Sequence, residues 1–204
     1  MSTLHVYKDV HIQMPYKRIM ARLGYNVHHT VIDETHMDRI NSVMESGSVL
    51  CSNTAIWRTV AVTVSGPHVV LDATHQISSA SLAEYLGSAR YGLLMFGSCG
   101  KKLSDEIEKA VNEKKLVKAA IYDALGSETA DGILDWIQHY CRRTLLRTYG
   151  HVSRRRFSPG YGDLSLSYQQ TFYTMLNLSG HGIEINDRFI LSPEKSVSAI
   201  CKIG

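Results

Sequence analysis

The run "YGLLMFGSCGKKLSDEIEKAV", residues 91–111, holds an unbroken apolar stretch, two glycines and then a charged amphipathic segment. It predicts a buried strand, a tight turn at Gly97 and Gly100, and a helix. Ser104 suits the helix N-cap, with Asp105 and Glu106 set against the positive end of the helix dipole. A phosphate-binding loop would need G-x-G-x-x-G or G-x-x-x-x-G-K-[ST], and neither spacing is present. The glycines therefore predict a short strand-to-helix connection and not a nucleotide cradle.

The pattern continues outward on both sides. Upstream, "AIWRTVAVTVS" (55–65) sets Ile56, Arg58, Val60 and Val62 against Trp57, Thr59, Ala61 and Thr63, the period-two pattern of a strand. Before it, "DETHMDRINSVMES" (33–46) spaces Met37, Ile40, Val43 and Met44 as one helical face ending near Gly47. "MPYKRIMARLGY" (14–25) predicts a short helix with Pro15 early and Gly24 as its stop. Downstream, 116–149 is a long helical region whose stripe is Ala130, Ile133, Leu134, Ile137, Tyr140, Cys141 and Leu145. Gly126 and Gly132 interrupt it, each at a cost of ~1 kcal/mol relative to alanine, which predicts close packing or a ligand there. "YQQTFYTMLNLS" (168–179) is a further amphipathic helix. "GIEINDRFIL" (182–191) and "SVSAICKI" (196–203) are strand candidates, the second with Val197, Ala199, Cys201 and Ile203 on one face. The chain thus predicts an α+β fold over residues 1–204, a single domain with a mixed or antiparallel sheet, flanking helices and an antiparallel pair at its end.

Composition narrows the function classes. The chain has 204 residues, 44% hydrophobic and 20% charged, with no apolar run near the ~20 residues a membrane span needs. The first twenty residues mix charge and apolar groups too evenly for a signal peptide, which points to the cytoplasm. The four cysteines, Cys51, Cys99, Cys141 and Cys201, form no C-x-x-C pair and are expected as buried reduced thiols. Ten histidines raise a metal site, but His28 and His29 are adjacent, and Asp72 with His75 lacks a third ligand nearby. No serine stands in a G-x-S-x-G elbow, so no nucleophilic triad is expected and no catalytic residue is assigned.

What remains is "RRRFSPGYGDLS" (154–165). The net charge is only +3, yet six arginines fall between Arg142 and Arg156 with no acidic residue among them. Pro159 fixes φ near about −65° and Gly160 supplies a positive φ, so the turn presents backbone groups outward. Arg156 before it suits a carboxylate held by two hydrogen bonds, and Tyr161 after it suits a base or a cation. The alternatives are a basic surface hairpin with Tyr161 packed in the core, or a nucleic-acid-binding module built on the Arg142–Arg156 patch.

From Arg154 to Gly204 the sequence resembles the reactivation domain of cobalamin-dependent methionine synthase. The matching residues are Arg156, Gly160 and Tyr161 of an Arg-x-x-x-Gly-Tyr pattern, then Pro193, Ser196, Val197 and Ser198 of Pro-x-x-Ser-Val-Ser. "IYDALGSETAD" (121–131) and "RIMARLGY" (18–25) resemble the family upstream. The resemblance implies a binding site for S-adenosylmethionine. Arg156 would hold the methionine carboxylate, Ser158, Pro159 and Gly160 would offer backbone groups, and Tyr161 would wall the site. Asp131 stands where relatives carry glutamate and would attract the amino group or sulfonium. It further implies an accessory subunit, not a free-standing enzyme, that serves the reductive methylation of cobalamin on a methionine synthase. The cobalamin would be carried by that partner, and reduced flavodoxin or ferredoxin would donate the electron. A second corrinoid methyltransferase system is the alternative partner. The chain departs from the family after Gly160-Tyr161, where it reads "GDLSLSYQQ", and its end at Gly204 suggests a stand-alone form of the domain.

Overall fold

A computed structural model describes residues 3–25 and 33–204, so the histidine pair at His28 and His29 lies outside the described residues. The elements run β1 (His5–Tyr7), α1 (Tyr16–Arg22), α2 (Glu34–Ser48), β2 (Thr54–Ser65), β3 (His68–Leu71), β4 (His75–Ser78) and α3 (Ala80–Leu86). They continue as β5 (Tyr91–Ser98), α4 (Lys101–Asn112), α5 (Leu116–Thr144), α6 (Leu146–Tyr149), α7 (Gln169–Met175), β6 (Glu184–Ile185), β7 (Leu191–Ser192) and β8 (Ser196–Ile203). Short 3₁₀ turns at Leu166–Tyr168 and Leu178–His181 flank α7.

β2 and β5 form the middle of an antiparallel sheet ordered β4-β3-β2-β5-β8, with β8 at its edge, and β1 adds to β2 beside β3. The period-two pattern of β2 and β5 decides what each face buries. Ala55, Trp57, Leu93, Met95, Ala199, Cys201 and Ile203 face α5, where they meet Ile133, Leu134, Ile137 and Cys141. Ile56, Val60, Val62, Leu94, Phe96 and Ile200 face the other way, onto Leu82 and Leu86 of α3 and Phe172 and Met175 of α7. A third cluster seats α1 and α2 on α5 through Ile19, Met20, Ile40, Met44, Ile121, Ala124 and Leu125. α5 is thus covered on most sides, which explains a helix whose stripe is so broad.

Several sequence expectations change. The glycine turn is one residue pair shorter than expected: Gly97 belongs to β5, opposite Val197 of β8 and Ala55 of β2. A Cβ there would lie 2.9 Å from Ile133 Cβ and 3.1 Å from the Ala130 carbonyl, so α5 crosses the strand at a point where only glycine fits. The N-cap of α4 is Gly100, not Ser104, because φ of 81° at Gly100 turns the chain directly into the helix at Lys101. Ser104 instead sits within α4 with a buried hydroxyl. The antiparallel pair expected at the end is not between the two final segments. "GIEINDRFIL" closes on itself as the two-residue ladder β6–β7, and β8 crosses back to pair with β5 from Tyr91–Ile203 to Ser98–Ser196. β3, β4 and α3 carry too few residues for a periodic signal and had not been expected.

The interior glycines of α5 are packing glycines. At Gly126 a Cβ would stand 2.7 Å from Lys195 Cγ and 2.9 Å from Leu103 Cδ2, and at Gly132 it would stand 3.0 Å from Ile12 Cγ2. Cys99, Cys141 and Cys201 are buried and Cys51 half-buried, all four as free thiols. Among the described residues no three metal-binding side chains cluster, and no helix is long and apolar enough to cross a membrane.

Candidate functional site

The segment after α6 runs along the free edge of β8. Ser153 N–H donates to the Lys202 carbonyl at 3.0 Å, and Phe157 and Ile200 exchange backbone hydrogen bonds at 2.8 Å each way. Extended backbone sends alternate side chains to opposite faces. Val152 joins the core under α5, while Phe157 enters the opposite core and stacks on Tyr85 at 5.9 Å. Arg156 falls on the α5 side.

There it meets three residues on consecutive turns of α5. Its Nη2 donates to Asp131 Oδ1 at 3.0 Å, and its Nη1 donates to Asp135 Oδ1 at 2.5 Å and Gln138 Oε1 at 3.0 Å. The spacing of Asp131, Asp135 and Gln138 puts them on one helical face. Buried Gln138 also clamps the segment, since its Nε2 donates to the carbonyls of Ser153 at 2.8 Å and Arg154 at 3.2 Å. Burial alone would lower the Arg156 pKa, but the carboxylates of Asp135 and Asp131 outweigh it and raise the value. The network extends to α1. Arg18 pairs with Asp135 at 2.9 Å and Glu128 at 3.4 Å, and Arg22 pairs with Glu128 at 2.7 Å. Three guanidiniums and three carboxylates therefore alternate along this face of α5.

Immediately after Arg156 comes the turn. Tyr161 N–H donates to the Ser158 carbonyl at 3.2 Å, and Gly160 has φ of 92°, so Ser158-Pro159-Gly160-Tyr161 is a turn with proline second and glycine third. It offers fewer outward groups than expected, because Gly160 N–H already donates to the Leu164 carbonyl at 2.8 Å. Pro159 is buried and Tyr161 is 70% exposed. The hairpin alternative with Tyr161 in the core is thereby excluded.

Asp163 holds the turn in place, a role the sequence did not disclose. Its carboxylate accepts from Ser79 Oγ at 2.5 Å, Ala80 N–H at 2.6 Å and Ser81 N–H at 3.2 Å, at the start of α3. Its pKa lies below the usual carboxylate range, first because of the Ser79 hydroxyl and then the backbone donors. Ser196 and Ser198 turn inward and hydrogen-bond Ser98 and Gln169 at 2.8 Å each, so these two serines serve the sheet.

The basic run does not form a continuous surface. Arg142 Nε donates to the Val152 carbonyl at 3.0 Å, Arg156 is committed to α5, and Arg155 lies 6.0 Å over the Tyr85 ring. Arg143, Arg147 and Arg154 are exposed.

The structure thus joins Arg156 to Asp131, and sets Ser158, Pro159, Gly160 and Tyr161 in the adjoining turn. Asp135 and Gln138 were missed, although their spacing from Asp131 was legible as one face. No protein-family model and no curated protein sequence matches the chain. A solved crystal structure of the MetH reactivation domain bound to AdoHcy is similar, with a TM-score of 0.67 at 10% identity over 98% of this chain and 78% of that one. The chain has the fold of the MetH reactivation domain.

Proposed function

We propose that this chain binds S-adenosylmethionine and presents its methyl group for the reductive methylation of cobalamin on a partner protein. The observation that carries the reading is Arg156 held between Asp131 and Asp135 beside the Ser158–Tyr161 turn, on a fold shared with a domain crystallised with AdoHcy. A guanidinium paired with a carboxylate is the complement of an α-amino acid. The ligand carboxylate replaces one aspartate on Arg156, and Asp131 so released takes the ligand ammonium. Because Arg156 is already charged and fixed by Gln138, the exchange needs no proton transfer and little reordering. Asp131 reaches one methylene less than a glutamate, yet it already meets Arg156 at 3.0 Å. Exposed Tyr161 closes over the adenosine end.

The chemistry then falls to the partner's corrin and a low-potential electron, supplied by a flavodoxin or ferredoxin. This chain's contribution is positional: it holds the sulfonium methyl at a fixed orientation and shields it from water. Exposed Arg143, Arg147 and Arg154 suit docking of an acidic donor. A methionine synthase is the partner favoured by the fold.

Calorimetric titration of S-adenosylmethionine into the native protein and into Arg156→Ala tests the reading. Binding to the native protein and a loss of at least ~1.5 kcal/mol in the variant are expected, the lower range for a charge-assisted hydrogen bond. Equal heats with both proteins, or none with either, overturn it.

A further inference from the structure

Cys51 and Cys99 stand apart from the other thiols and from the ligand face. Cys51 lies in the connection from α2 to β2, half-buried, and packs against the small cluster of Cys99, Leu103, Tyr122 and Ala130, with buried Cys99 just after β5. The backbone fixes their approach, since Ser52 N–H donates to the Cys99 carbonyl at 2.9 Å. That bond sets the two chain segments side by side, as a disulfide requires of residues whose Cα atoms must come within about 4.4–6.8 Å. Cys51 also lines a cavity of about 520 Å³ with Asp9, His11, Met14, Val49 and Asn53. Within that cavity's lining, Asn53 Nδ2 donates to the Val10 carbonyl at 3.0 Å, whereas the buried Asn53 Oδ1 accepts nothing among the described residues. Cys51 therefore borders a space large enough for a small hydroxylic molecule.

We propose that Cys51 and Cys99 are a redox pair in which Cys51 is oxidised by a peroxide entering this cavity and Cys99 closes the disulfide. The Cys51 thiolate attacks the near oxygen of the peroxide, the O–O bond breaks, and an alkoxide or hydroxide leaves to be protonated by water. Sulfur gives up two electrons and becomes a sulfenic acid. Cys99 then loses its proton to solvent and attacks the Cys51 sulfur, forming the S–S bond, and the sulfenic oxygen leaves as water. Two thiols and one peroxide yield a disulfide, an alcohol or water, and a further water.

The surroundings favour this order. As neutral thiols the two donate elsewhere, Cys99 Sγ to the Gly126 carbonyl at 3.2 Å and Cys51 Sγ to the Gly47 carbonyl at 3.7 Å. A thiolate at Cys51 is the stronger acceptor, and hydrogen bonding from Cys99 lowers the Cys51 pKa against an opposing burial effect. The same bond, burial and the Cys51 charge raise Cys99, so it stays a thiol until Cys51 is oxidised. Cys141 and Cys201 are fully buried, and burial raises both. They serve as thiols that should not react.

The test treats the native protein with hydrogen peroxide near stoichiometry, blocks remaining thiols, and maps peptides by mass. The expected product has lost two hydrogens, links the Cys51 and Cys99 peptides, and reverts with dithiothreitol. Cys99→Ser should stop at one added oxygen on Cys51, trapped by a dimedone-type probe, while Cys51→Ser should form no disulfide. Alkylation of the unmodified native protein gives a reading independent of how either serine affects folding. Cys51 should react at least about tenfold faster than Cys141 and Cys201. Equal reactivity of all four thiols, or oxidation of Cys51 to the sulfinic acid with Cys99 still alkylatable, overturns the proposal.

Discussion

Arg156 Nη2 lies 3.0 Å from Asp131 Oδ1, joining the strand-like segment beside β8 to the middle of α5. Twenty-five positions separate the two in sequence. The pair is partly exposed, with side-chain exposures of 21% and 38%, so its net contribution to stability is small, ~1 kcal/mol or less. A contact of little energetic worth between two well-anchored elements suits a site that must exchange partners. Arg156→Lys should keep the fold but weaken S-adenosylmethionine binding by about tenfold, because one ammonium cannot engage Gln138, an aspartate and a ligand carboxylate in the planar fork. Titration calorimetry alongside thermal unfolding separates the two effects.

Asp163 links stability to pH. Its folded pKa lies below the value it has unfolded, so its contribution is present above about pH 4 and is lost as pH falls through the folded value. Asp163→Asn should lower the melting temperature at pH 7, and the gap from native should narrow as the pH drops below that range. Thermal unfolding across pH checks this, and a gap unchanged at low pH would remove the charge from the explanation.

Gly97→Ala tests the crossing of β5 and α5. The added methyl would press on Ile133 and on the Ala130 carbonyl, and neither can move as a flexible chain end can. A destabilisation of about 1–3 kcal/mol is expected in denaturant unfolding.

Lys195 separates packing from charge. Its side chain is 9% exposed, its Nζ lies 2.5 Å from Asp123 Oδ1, and its stem rests on Gly126. Asp123 is 49% exposed and can return to water when its partner goes. Lys195→Met should therefore stay within ~1 kcal/mol of native, while Lys195→Ala should cost about 1–3 kcal/mol more through the lost stem. Equal losses in both variants would put the weight on the charge instead.

The parts legible in the sequence were those with local causes. Alternation in 55–65 named both faces of β2, and Pro159 with Gly160 gave the turn its geometry before any contact was known. Gly97 misled because a glycine at a strand end and a glycine under a crossing helix look alike without the helix. β8 pairs with β5 across about a hundred residues, and nothing in either strand encodes that choice. Asp163 read as a loop residue because its partners, Ser79 to Ser81, lie in a short helix without a periodic signal. Arg156 and Asp131 were each found, but only packing revealed Asp135 and Gln138 between them.

A crystal structure of the chain with S-adenosylhomocysteine bound tests the partner exchange at Arg156 most directly. The ligand carboxylate should sit on the Arg156 guanidinium, its ammonium on Asp131, and Tyr161 should cover the adenosine. A ligand bound elsewhere, with Arg156 still holding both Asp131 and Asp135, would contradict it.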